Sequence, residues 1–182
     1  MNAELVSSEQ GSGTSWSRPS LAEVPRVPGG RWTDPLGGVP IGRTERASDA
    51  VTRSFGSVPD SVSEARRFAD RVLAEWGVTE VGDDVRLILS ELVGNACRHA
   101  LSPGRGPEAT PVVVRLGRTD DPREVACLVA DSSDRLPRKV DAHHFAESGR
   151  GLSLVAAFSR EWGWNALSGG GKIVWAVCGG RD

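Results

Sequence analysis

Residues 91–100 read ELVGNACRHA, and the periodicity that runs into this stretch decides the fold. Val85, Ile88, Leu89, Leu92, Val93, Ala96 and Ala100 recur at intervals of three and four and make one apolar stripe, the signature of an amphipathic helix. The helix spans about Gly82 to Ala100, and Pro103 ends the pattern, because its ring cannot continue a helical ladder. Asp84, Glu91, Asn95 and Arg98 fall on another face. Residues four apart on a helix project one above the other, so the Glu91 carboxylate and the Asn95 amide stand together. Such a pair can hold a hard cation through oxygen, directly or through water. The carboxylate can also accept a proton from an attacking hydroxyl. Taken alone, however, a Glu and an Asn at this spacing are more commonly a solvated polar face.

The flanking sequence supplies the other elements. Upstream, VTRSF (51–55) reads as a short edge strand before a Ser-Val-Pro turn. Ser61 and Glu64 have the spacing of a capping box, in which each side chain satisfies an orphan N–H. Val62, Ala65, Phe68, Ala69, Val72, Leu73 and Trp76 follow at helical spacing, and Gly77 stops the run. Downstream, PVVVRLGR (111–118) and REVACLVAD (123–131) read as strands around an Asp-Asp-Pro turn. The second is apolar on both faces, so it is expected at the centre of a sheet, and it ends in Asp131. Residues 132–149 carry no periodicity and have the length of a functional loop. A helix spans Gly151 to Arg160, with Leu152, Val155 and Ala156 inward. Trp162, Trp164 and Ala166 then alternate, and SGGG (168–171) turns the chain into KIVWAVC (172–178), a hairpin. This order predicts an α+β two-layer sandwich, a mixed and mostly antiparallel sheet with helices on one face.

Composition bounds the remaining choices. The chain has 182 residues, of which 38% are hydrophobic and 25% charged, enough for one domain and an appendage. Residues 1–50 are rich in Gly, Pro, Ser and Thr without periodicity and read as a disordered tail, leaving 51–182 as the domain. Trp16 and Trp32 are unusual in such a tail. A net charge of -2 argues against direct nucleic-acid binding, which draws on an excess of Lys and Arg. Cys97, Cys127 and Cys178 stand far apart with no CxxC pair, which disfavours zinc and fits small buried residues in a reducing compartment. The N-terminus has no basic region followed by an apolar run, and no stretch approaches the ~18 apolar residues of a membrane span. The expectation is a cytoplasmic protein with no membrane partner.

Two further features have chemical potential. Asp131 closes a buried strand, where an unpaired carboxylate is expensive. Its donor is an adenine amine, a turn amide or Arg135. Ser148-Gly149-Arg150-Gly151-Leu152 opens a helix, and free N–H groups there attract phosphate oxygens. Each signal is weak alone; their order along the chain is not.

With ELVGNACRHA, a buried strand ending in Asp131, a lid-length loop and GRGLSLV in sequence, the chain resembles the GHKL (Bergerat-fold) ATPase superfamily. Within it, the Asn-Ala-x-Arg-His-Ala run, the Gly-Arg-Gly-Leu turn and the closing GGGKIVWAVC are similar to the histidine-kinase-like ATPase domain of the anti-sigma-factor serine/threonine kinase group. The resemblance covers roughly residues 51–178. It implies ATP and Mg²⁺ as cofactors, with Glu91 as the general base toward a partner hydroxyl and Asn95 as a magnesium ligand. It makes Asp131 the acceptor of the adenine amino group. Gly149, Arg150, Gly151 and Leu152 would line the phosphate end, Ser133 the glycine box, and 132–149 the lid. Arg98 and His99 lie one turn beyond Asn95, within reach of phosphate, although a structural role for His99 fits equally well. The implied partners are an antagonist protein, a sigma factor and a second copy of the chain.

Two positions depart from the family's pattern. The usual Asp-x-Gly-x-Gly box here reads Asp131-Ser-Ser-Asp-Arg, with Ser133 and Arg135 in place of glycines. Ile173 stands where a threonine near the adenine is frequent. Both departures point to weaker or slower nucleotide use, and they keep open a second reading as a nucleotide-responsive binding module with little or no kinase activity.

Overall fold

The computed structural model describes residues 50–100, 110–135, 137, 150–167 and 170–179. Among these, the elements run β1 (Ala50–Phe55), α1 (Asp60–Trp76), α2 (Gly82–Ala100), β2 (Val112–Arg118), β3 (Val125–Asp131), α3 (Arg150–Phe158), β4 (Glu161–Ala166) and β5 (Lys172–Cys178). Their order and types follow the periodicity of the sequence. Of the tail expected over 1–50 all but Ala50, and of the lid expected over 132–149 residues 136 and 138–149, lie outside the described residues.

The strands form one sheet in the order β1-β2-β3-β5-β4. Every neighbouring pair is antiparallel, so the expected mixed sheet narrows to an antiparallel one. Short turns explain two of the pairings, since β2–β3 and β4–β5 are hairpins. β3 takes the centre because all seven of its residues are buried. Strand side chains alternate between faces, and β3 divides accordingly. Val125, Cys127 and Val129 face the helices, while Ala126, Leu128 and Ala130 face the opposite side.

All three helices pack on one face. Phe68, Ala69, Val72 and Leu73 of α1 share a core with Val85, Ile88, Leu89, Leu92, Val93 and Ala96 of α2 and with Leu152 and Val155 of α3. Val112, Val114 and Leu116 of β2 supply the floor. The edge strand joins this core through Phe55, whose ring meets Phe68 edge-on at 6.0 Å. α1 stops where expected, at Gly77 with φ 68°, a left-handed conformation that costs a residue without Cβ little. The three described cysteines are buried and form no disulfide among the described residues.

The helix start differs from the sequence reading. α1 begins at Asp60, with Pro59 at the N-cap position and no side-chain cap. Ser61 therefore lies inside the first turn, and its hydroxyl donates to the Gly56 carbonyl at 2.5 Å. Glu64 is exposed. The capping box fails because Ser61 is buried to 1%, and a buried hydroxyl takes the acceptor it meets, here the carbonyl of the strand–helix turn.

The face of the sheet away from the helices is also apolar. Val113, Ala126, Leu128, Ala130, Ile173 and Val177 form a second cluster, with Trp175 and Leu167 against it. The Trp175 indole donates to Asn165 at 3.2 Å and lies across the β4 edge. Leu128 is fully buried there. Leu128→Ala is expected to lower stability by about 2–5 kcal/mol, measured by denaturant unfolding. A loss well under 1 kcal/mol would mean that this face is not packed.

Candidate functional site

α2 has two duties. Its apolar stripe is spent on the sheet, and its polar stripe, with Glu91 and Asn95 half-buried, meets the start of α3. The meeting is close. A Cβ built at Gly151 would stand 2.8 Å from Glu91 Oε2 and 3.2 Å from Asn95 Nδ2, so any larger residue there would push the ends of these two side chains aside. Glu91, Asn95 and the backbone that opens α3 are thereby one cluster. Arg98, one turn on, donates from its guanidinium to Asn95 Oδ1. The amide oxygen that a cation would use is engaged by the chain's own cation.

The second half of the site lies where the two central strands end. Asp131 of β3 faces Lys172 of β5 in register, and the Lys172 ammonium donates to Asp131 Oδ1 at 2.7 Å. The Ser133 N–H donates to the same oxygen at 2.8 Å. Both side chains are buried, Lys172 to 6% and Asp131 to 4% exposure. The turn amide anticipated for Asp131 is thus present, and Arg135 is not its partner. Arg135 instead gives its backbone N–H to Ser133 Oγ at 3.2 Å. The Ser133 carbonyl accepts a further bond from Lys172 at 3.0 Å, and Asp134 Oδ1 accepts the Gly171 N–H at 2.7 Å. The serine-rich box after β3 is therefore braced against the β4–β5 turn.

Lys172 was not among the residues picked from the sequence. The signal was present, because Lys172, Val174, Ala176 and Cys178 alternate onto the helix-facing side, and a lysine in such a row needs an anion. Which anion depends on β3–β5 pairing, and that is not legible locally.

Ile173 corrects an expectation. Its side chain belongs to the cluster on the far face, with Leu128 and Ala130, so it does not stand beside Asp131. Alternation along β5 puts Lys172 and Val174 on the Asp131 side instead. Leu152 is 9% exposed and packs in the core, so any contact with a ligand would come from its backbone. Gly149 lies outside the described residues, and Arg150 is described only as the first residue of α3.

His99, in the last turn of α2, is close enough to feel Lys172, Asp131, Arg135 and Arg98. Burial, with the Lys172 charge next, holds its imidazole below the ordinary value. Cys97 beside it is pushed up, first by burial.

Among the described residues, no three His, Cys, Asp or Glu side chains gather as a metal site. The donor set that is present, one carboxylate and one amide on adjacent turns, suits a magnesium ion held mostly by the oxygens of a phosphate ligand. No described helix is long and apolar enough to cross a membrane.

Residues 55–178 match the histidine kinase-like ATPase domain family. No curated protein matches the chain. Among solved structures, the RsbU and RsbW domains of Rv1364c from Mycobacterium tuberculosis share the fold, with a TM-score of 0.53 and 18% identity. The match covers 71% of this chain and 32% of that one, so the chain spans about a third of that protein's solved length. The two-layer arrangement is that of the Bergerat fold.

Two outcomes follow from this geometry. Gly151→Ala is expected to fold, since alanine's helical advantage of about 1 kcal/mol offsets some of the crowding. The Asn95 side-chain amide signals in an NMR spectrum should nevertheless move, and unmoved signals would separate Gly151 from the cluster. For His99 the folded chain binds a proton less readily than the unfolded chain. Stability is therefore full above the ordinary imidazole value of about 6.5 and falls as the pH drops through the lower folded value. Melting temperatures recorded between pH 7 and pH 5 should decline, and His99→Gln should flatten that decline.

Proposed function

From a chain that belongs to the histidine kinase-like ATPase domain family, we propose an ATP-binding regulatory protein of the anti-sigma-factor kinase type. It binds Mg-ATP, phosphorylates a serine or threonine of an antagonist protein, and in its other partnership holds a sigma factor, acting as a homodimer. The observation that carries this reading is the junction of α2 with α3, where Glu91 and Asn95 lie against Gly151 at the opening of a helix.

Each residue there has work to do. The N–H groups at the start of α3, which have no partner within the helix, are suited to phosphate oxygens. Asn95 Oδ1, once released by Arg98, would help hold magnesium, which would offset the charge of the phosphates. Glu91 is the base. As the partner's hydroxyl oxygen forms its bond to the terminal phosphorus and the bond to the ADP oxygen breaks, the hydroxyl proton passes to the Glu91 carboxylate. Asp131 is the acceptor for the amino group of the base. His99 and Arg98 add positive or polar character between the two ends.

A specific observation favours the second reading, a nucleotide-responsive binding module. The two side chains assigned to the ligand, Asn95 and Asp131, each have an oxygen held by a basic side chain of the chain itself. A binder in which nucleotide and side chains exchange would need no base. Glu91 favours the kinase, because a binding module has less use for a carboxylate beside phosphates.

Transfer of label from radioactive Mg-ATP to a purified antagonist separates the two. Glu91→Gln is expected to keep nucleotide affinity within a few-fold and to lower transfer by about 100-fold or more. Binding by the unmodified chain without transfer to any tested antagonist would leave only the binding module.

A further inference from the structure

We infer that the Lys172 ammonium is a built-in competitor for the Asp131 carboxylate that a nucleotide base would reach. This rests on the assignment of Asp131 to the base, and it makes Lys172 the residue that sets base affinity and selectivity.

The two side chains face each other across neighbouring strands, at the last pair of the β3–β5 ladder. No backbone movement is needed to hold them together. Asp131 Oδ1 already accepts two N–H groups, from Lys172 at 2.7 Å and from Ser133 at 2.8 Å. Lys172 directs a second donor to the Ser133 carbonyl at 3.0 Å, and the neighbouring Gly171 is fastened to Asp134. The ammonium is thus placed by the fold rather than by chance contact.

An adenine amino group offers a neutral donor to the same carboxylate. A charge-assisted bond is roughly twice as strong as a neutral one, and a cation removed from a buried carboxylate leaves charge without a partner. Base binding therefore includes the displacement of Lys172, and the cost appears as lost affinity. A side chain without charge at position 172 would leave Asp131 open to the base. The cost also falls selectively. Only a base with an amino group for Asp131 gains from the removal of the lysine.

The test compares the full-length chain with Lys172→Met, which keeps the stem and removes the charge. Calorimetry with Mg-ATP and with the triphosphate of purine riboside, which lacks the 6-amino group, gives four affinities. The expected result is a gain of tenfold or more for ATP in the variant and a gain under threefold for the deamino analogue. An equal gain for both ligands, no gain, or weaker ATP binding overturns the inference while leaving nucleotide binding intact. Absence of binding by both proteins to either ligand instead removes the nucleotide reading, and this inference with it. A second measurement uses only the unmodified chain and so survives a variant that does not fold. Reductive methylation followed by mass spectrometry should label Lys172 faster in the presence of Mg-ATP, because the displaced ammonium leaves its buried place. Unchanged or slower labelling overturns the inference.

Discussion

The packing of α2 across β3 is the constraint on which the rest of this domain depends. β3 is buried on both faces, so it can only be central, and α2 is the helix laid against it. Ile88, Leu89, Leu92 and Val93 satisfy that contact, and the rotation they impose turns Glu91 and Asn95 away from the sheet. Burial of one stripe thereby aims the other, since a helix has one rotation about its axis. α3 then closes on the polar stripe, and Gly151 is the residue that makes its approach close enough.

Charge placement in the remainder of the domain follows from the cost of isolating ions from water. Among the described residues, two carboxylates are taken deep into the fold. Glu124, 1% exposed, accepts the Thr119 hydroxyl at 3.1 Å and the Arg160 guanidinium, and so ties the β2–β3 turn to the start of β4. Asp131 is held by Lys172 and the Ser133 amide. Ion pairs of this kind contribute little net stability, but removing one partner is costly. They act as specifications of register. A slip of β5 by one residue would send Lys172 to the far face and strand both charges.

The two pairs differ in what they leave available. Arg160 is half exposed while Glu124 is not, which suits a structural tie at the surface. Lys172 and Asp131 are both buried at the mouth of the sheet, beside the end of α2 and under the positive influence of Arg98 and Arg135 on His99. In that corner Asp131 Oδ1 and the Ser133 carbonyl are already engaged by the chain's own donors.

The sequence by itself determined the elements and the helix that carries the chemistry, because both depend on periodicities that span only a few residues. The α2 stripe, the doubly apolar β3, the Gly77 stop and the Glu91–Asn95 pair needed no knowledge of distant chain. It misled at Ser61, whose burial gave its hydroxyl to Gly56, and at Ile173, whose face depended on strand parity. Only the tertiary structure decided that Lys172, 41 positions from Asp131 in sequence, is its partner, and that Gly151 seats α3 on Glu91 and Asn95. The physical reason is the same in both cases: strand register and helix rotation are fixed by the burial of the whole core, and local spacing contains neither.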